Sequence, residues 1–246
     1  MQKNKKRMRV FAGPNGSGKS TLFREFKKYY NPGYFINADE LEALLSKGLV
    51  SLSEIGLQAT TKDLNKFKTS KEAESLLKKA SSEGKVIDIE VRENFIVDRS
   101  KDTHSYEAAF AASFIRHLLI ENGHSFSFET VMSHSSKLKE IEEANRLGYK
   151  TYLYFVCTDN PQINVDRVAN RVDKGGHNVD PEKIRSRYTH TLENLLPAIR
   201  KVHRAYLFDN SGKQQTLIAE VLDGKSMKIM SDQRPDWFDD YVLNNW

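Results

Sequence analysis

Eight residues near the start of the chain, Gly13 to Ser20, read GPNGSGKS. They match the phosphate-loop pattern G-x-x-x-x-G-K-[ST] at every fixed position. Glycine tolerates positive φ, so Gly13, Gly16 and Gly18 allow successive backbone N–H groups to turn inward around an anion. Asn15 and Ser17 complete the loop. Lys19 is placed to reach the β- and γ-phosphates of a nucleotide, and the Ser20 hydroxyl to ligate Mg2+, with Thr21 as a neighbouring phosphate donor. The pattern predicts binding of ATP, with GTP as the alternative, and chemistry at the terminal phosphoryl group.

Transfer to an acceptor needs a carboxylate near the γ-phosphate and cations to cover it. Four apolar runs end in an acid: Asp39, Glu129, Asp159 and Asp209. Asp39 can take the proton of an acceptor hydroxyl, and with Glu42 it also reads as a D-x-x-E capping box. Glu129 can orient substrate or hold Mg2+ through water, or it merely begins a turn. Asp159 reads as a helix cap before Pro161, and Asp209 as a turn residue. The cations stand in DRVANRVDKGGHNVDPEKIRSRY, residues 166–188. Arg167 and Arg171 share a helix face at i, i+4. Arg185 and Arg187 follow the hinge Gly175–Gly176, with His177 at the tip. Residues 160–195 therefore read as a lid-like helical hairpin. The bland alternative is a solvated face on which these arginines pair with Asp166, Asp173 and Glu182.

The elements that must position these groups alternate. A strand at MRVFAG leads into the loop, and a helix with Leu22, Phe23 and Phe26 on one face follows it. YFIN reads as a second strand and ADELEALLSKG as a helix ending at Gly48. Residues 49–103 break the rhythm. They contain two amphipathic, helical stretches and two strands around a turn at 92–94, and read as an insert or cap. Beyond them come helix 104–123, strand HSFSFE, helix SSKLKEIEEANRLG, strand YKTYLYFVC and the arginine hairpin, whose second helix has Asp180 as cap and is kinked or ended by Pro197. Strand AYLFDN and the hairpin TLIAEVL-DG-KSMKIM close the chain. The expectation is one α/β domain over residues 1–246. Its mainly parallel sheet is of P-loop NTPase type, with helices on both faces, a helical insert and a C-terminal β-hairpin.

Composition limits the partners. The net charge of +5 is matched by Lys3, Lys5, Lys6, Arg7 and Arg9 alone, so the remaining chain is neutral. A neutral body with a basic terminus argues against a nucleic-acid groove. No apolar run approaches the ~20 residues of a membrane span. The lone Cys157, inside an apolar strand, predicts an inert buried thiol in a reducing compartment, and hence a cytoplasmic protein.

FAGPNGSGKST, INADE, SFSFET, YFVCTDNP, RVANRVDKGGHNV, RSRYTHTLENL and FDNS together resemble the zeta toxin-like P-loop kinases, over residues 8–48 and 104–212. The resemblance implies ATP-dependent phosphorylation of a hydroxyl of a small molecule, with a UDP-amino sugar such as UDP-N-acetylglucosamine as the family's acceptor. It also implies an antitoxin partner. By the same resemblance Lys19 matches the phosphate lysine, Asp39 the base, and Glu129 with Thr130 the substrate side. Arg171 and Arg187 match the lid arginines, with Arg167 and Arg185 behind them. Glu42 stands where zeta toxins carry an arginine, and residues 129–133 read E-T-V-M-S in place of E-G-T-x-R. The competing readings are an ATPase or switch module, against which the chain shows no LSGGQ-like signature, a polynucleotide kinase and a nucleotide sensor.

Overall fold

The computed structural model describes residues 6–100, 104–173, 175–176 and 178–246. His177 at the expected hairpin tip, and Lys3 and Lys5 of the basic start, lie outside the described residues. The chain forms two compact units, one of residues 1–33 with 127–246 and one of 34–126. The second unit is thus longer at both ends than the segment 49–103.

The first unit opens with β1 (Arg7–Ala12), the phosphate loop and α1 (Lys19–Tyr29). The second holds β2 (Tyr34–Ile36), α2 (Ala38–Leu45), β3 (Leu49–Ser51), α3 (Thr61–Lys68), α4 (Lys71–Ser82), β4 (Ile89–Arg92), β5 (Phe95–Asp98) and α5 (Ser105–Glu121). Its small sheet is antiparallel in the order β3-β5-β4. Glu93 and Asn94, at φ 51° and 66°, make the two-residue turn between β4 and β5. α5 is apolar on most sides and buried over most of its length, as a core helix must be.

The first unit resumes with β6 (Phe126–Thr130), α6 (Ser136–Arg146), β7 (Lys150–Cys157), α7 (Pro161–Val172), α8 (Pro181–Glu193), α9 (Leu195–Ile199), β8 (Arg204–Asp209), β9 (Thr216–Leu222), β10 (Ser226–Ile229) and α10 (Asp236–Tyr241). Its strands lie in the order β10-β9-β8-β7-β1-β6. β7 pairs in parallel with β1 and β8, while β9 and β10 add an antiparallel meander. Register sets the faces. Phe11 stands beside Tyr154, and Tyr154 beside Tyr206, with rings stacked at 4.8 and 5.1 Å. α1 covers this face through Phe23 and Phe26, 5.2 and 5.4 Å from Phe11. Leu153, Phe155, Ala205 and Leu207 point the other way and are fully buried. There Trp237 of α10 meets Phe155 at 5.8 Å. Helices on both faces of a mostly parallel sheet are the α/β architecture that the alternation predicts.

Several local expectations differ from the structure. α2 is capped by Asn37, whose Oδ1 accepts from the Asp39 N–H at 2.9 Å, so Asp39 sits inside the first turn and is not the cap. Asn160, not Asp159, caps α7. The first stretch expected to be helical, from Ser51, is instead the end of β3 and a 3-10 turn (Ser53–Ile55) before α3 begins, because Leu52 N–H bonds Asn94 O in the β4–β5 turn and Gly56, at φ 67°, stops the 3-10 turn. The arginine hairpin's second helix ends at Glu193, and Pro197 lies within the short α9, where a missing N–H has no intrahelical partner to lose. Arg9 is no tail residue. It is 8% exposed, donates to Pro32 O at 3.3 Å and lies over the Phe26 and Tyr152 rings. Burial lowers its pKa.

Candidate active site

The loop between β1 and α1 is built on three left-handed glycines, Gly13, Gly16 and Gly18, at φ 145°, 75° and 104°. A Cβ on Gly13 would run into Val156 O and come within 2.9 Å of Ser17 Oγ, and one on Gly16 would lie 2.6 Å from Asn164 O. The backbone thus packs against β7 and α7 with no room for side chains. Lys19 Nζ donates to Gly13 O and Pro14 O, both at 2.9 Å, so the ammonium lies across the loop. Ser17 Oγ and Asn15 Oδ1 are buried with no hydrogen-bond partner among the described residues. Of these, the Ser17 hydroxyl can donate to a bound phosphate oxygen, whereas the Asn15 amide oxygen only accepts. The Ser20 hydroxyl donates to Glu129 Oε2 at 3.0 Å, across from α1 to the end of β6. A hydroxyl beside a carboxylate is an oxygen set suited to Mg2+. Thr21 is exposed, its Oγ1 accepting from Arg24 at 3.3 Å.

Behind the loop stands a row of side-chain amides that the sequence reading missed. Asn164 Nδ2 donates to Asn15 O at 2.6 Å, Asn210 Nδ2 to Ser17 O at 2.7 Å, and Gln215 Nε2 to Gly18 O at 3.1 Å. These bonds satisfy three loop carbonyls with side-chain donors from outside the loop. One signal was available. Asn164 holds a buried position on the apolar face of α7, with Val168 one turn on, and a buried amide in such a place needs partners.

The remaining candidates fall as follows. Thr130 Oγ1 accepts from Met132 N–H at 3.0 Å and shapes a turn in which Met132 has φ 59°. Asp159 and Asp209 both bind Trp237, through its backbone N–H at 3.4 Å and its indole N–H at 3.1 Å. Arg185 spans the hairpin, donating to Glu182 at 3.0 Å on its own helix and to Gln162 at 2.6 Å on α7. Arg171 is exposed against Gly176, and Arg187 is half-buried on α8. Arg167 is half-buried, with Nη1 fully enclosed and without a hydrogen-bond partner among the described residues. It follows Asn164 by three residues, hence on the helix face that touches the loop. Asp39 belongs to the second unit and is exposed. Cys157 is fully buried, and desolvation pushes its thiol pKa well up.

Strand, glycine loop and helix in this order, on a mostly parallel sheet, define a P-loop α/β protein. Within that class the chain belongs to the Zeta toxin family, whose model matches residues 89–217, just over half of the chain. The match takes in the arginine hairpin and also β4 and β5, which the sequence resemblance had left out. No curated protein matches the chain. Among solved structures it is similar to the AvrRxo1-ORF1:AvrRxo1-ORF2 complex with sulphate ions, with 15% identity over 92% of this chain and 61% of that one, and a TM-score of 0.57. The same pair with ATP gives 14%, 92% and 60%, with 0.51. The PezAT chromosomal toxin-antitoxin system of Streptococcus pneumoniae gives 12% identity over all of this chain and 82% of that one, with 0.53. The chain spans about three fifths of the AvrRxo1 chains it matches. At these identities the likeness is one of fold. Among the described residues, no helix is long and apolar enough to cross a membrane.

Proposed function

We propose that the protein is an ATP-dependent kinase that phosphorylates a hydroxyl of a small molecule and acts as the toxin of a toxin-antitoxin pair. The observation that carries the reading is the buttressed loop with its Ser20–Glu129 oxygen pair. Family membership and the resemblance to the PezAT and AvrRxo1 folds support it, one of the latter having been solved with ATP. Lys19 and the loop amides hold the β- and γ-phosphates. Ser20 and Glu129 would hold Mg2+, which neutralises charge on the phosphate oxygens when bound. Asp39 accepts the proton of the acceptor hydroxyl as its oxygen bonds to the γ-phosphorus, and ADP leaves. Arg167 and Arg171 of α7 and Arg187 of α8 stabilise charge on the moving group, and the enclosed Nη1 makes Arg167 the first of them. A UDP-amino sugar is the leading acceptor by family. The family's arginine after the base is Glu42 here, so the acceptor screen must be broader than that one compound.

The test is transfer from γ-labelled ATP to UDP-N-acetylglucosamine and to a whole metabolite extract. Wild type should label one compound, and Lys19→Ala none. Asp39→Asn should keep ATP affinity and lose about 10²–10⁴ in rate. Undiminished transfer by Asp39→Asn defeats the base assignment. Expression of wild type should arrest host growth, and Lys19→Ala should not. Hydrolysis without any labelled acceptor would replace the kinase reading with an ATPase.

A further inference from the structure

A buried hydrogen-bond chain runs from the arginine hairpin to the phosphate loop. Tyr188, on α8 between Arg187 and the helix end, donates from its hydroxyl to Thr158 O at 2.7 Å. The Thr158 hydroxyl donates to Asn164 Oδ1, and Asn164 Nδ2 donates to Asn15 O at 2.6 Å. Thr158 and Asn164 are fully buried and Tyr188 is 8% exposed, so the two links at Thr158 are shielded from water, while the Asn15 end is part-buried. Asn164 O also lies against Gly16, at the point where a Cβ would not fit.

We infer that Asn164 is the positioning residue of the phosphate loop, and that Thr158 and Tyr188 fix its amide in the working orientation. The inference rests on the phosphate-loop reading above but concerns how the loop is held. An asparagine amide is nearly symmetric in shape, and either end can face a neighbour. The Asn15 carbonyl can only accept, so the donor end, Nδ2, must face it. Oδ1 then accepts from the Thr158 hydroxyl, which also lies 3.3 Å from Asn160 O. With the carbonyl drawn outward, the peptide N–H of the next residue, Gly16, turns toward the phosphate side. α8 carries Arg185 and Arg187 beside Tyr188, so the helix that bears the hairpin arginines also anchors the chain that aims the loop.

The consequence can be separated from simple loss of stability. Asn164→Asp keeps the shape and the acceptor for Thr158 but sets a carboxylate oxygen against the Asn15 carbonyl. Burial and that carbonyl both disfavour the charged form, so the new carboxyl titrates above its usual range. Once protonated, its O–H can donate to Asn15 O and restore the lost bond. Amide hydrogen exchange of the peptide spanning residues 13–20 is measured on the full-length protein without nucleotide, against wild type at each pH. Asn164→Asp should speed loop exchange about tenfold at about pH 8, the loss of roughly one hydrogen bond, and the excess should shrink at about pH 6. Thr158→Val, which removes only the orienting hydroxyl, should speed it severalfold with no pH-dependent recovery. Loop exchange unchanged in either variant overturns the inference. So does acceleration spread evenly through the sheet and independent of pH. Should Asn164→Asp fail to fold, Thr158→Val alone decides. Calorimetry of wild type with Mg-ATP tests the kinase reading separately. A protein that gives no heat but shows the predicted exchange pattern loses the kinase and keeps the relay.

Discussion

The three loop glycines are demanded by positive φ and by lack of space, not by local flexibility. Gly13→Ala would drive a methyl into Val156 O and hold a side chain at φ 145°. Backbone strain of this kind costs about 1–3 kcal/mol, and the clash adds to it. Urea denaturation should find the variant destabilised by at least that amount, and a midpoint equal to wild type would show that the loop can move away. The loop was legible in the sequence because its constraint is local. A few residues in a row state their own geometry. Its buttress was not legible, because Asn164 and Asn210 stand 149 and 193 positions from their partners in the loop. The same limit hid Trp237, whose bonds to Asp159 and Asp209 join residues 78 and 28 positions apart.

At the scale of elements, the hairpin of α7 and α8 divides its arginines between two tasks. Arg185 is tied to Glu182 and Gln162 at a surface where the carboxylate partner is 85% exposed. Exposed pairs contribute about 0–1 kcal/mol, so Arg185→Ala should leave thermal stability and turnover close to wild type. Arg167→Ala should leave stability similar and reduce turnover by about 10³ or more if this arginine meets the transferring group. Equal turnover losses in the two variants would remove the distinction. The pattern of helices and strands read well from periodicity here, and Asp180 and Pro181 opened α8 as expected. Capping read less well. Asn37 and Asn160 hold the cap positions, each Oδ1 accepting from the N–H two residues on, that of Asp39 and that of Gln162. Arg9 misled as well. A basic run at a chain start looks solvated, but β-pairing with Tyr152 places this guanidinium over aromatic rings.

For the whole molecule, the sheet order explains why one edge gathers the chemistry. β1, β6 and β7 lie side by side, and the loop, Glu129 and the α7 entrance all leave from their carboxyl ends, the edge at which open α/β sheets bind ligands. The second unit carries Asp39, and the family model reaches into that unit, so the insert-like segment is in part a family feature. That much could not be read from residues 49–103, which hold amphipathic elements and no motif.

The C-terminal α10 gives the molecule an optical probe of its own. The Trp237 indole is shielded from water and bonded to Asp209, and the next residue, Asn210, grips the loop at Ser17. The second indole, Trp246, is 41% exposed at the chain's end. With Trp246→Phe silencing that background, fluorescence should come from a single blue-shifted emitter wired to the nucleotide cradle. Titrating ATP would then be followed without a label, and an emission spectrum indifferent to saturating ATP would mean that the wiring stops at Asp209.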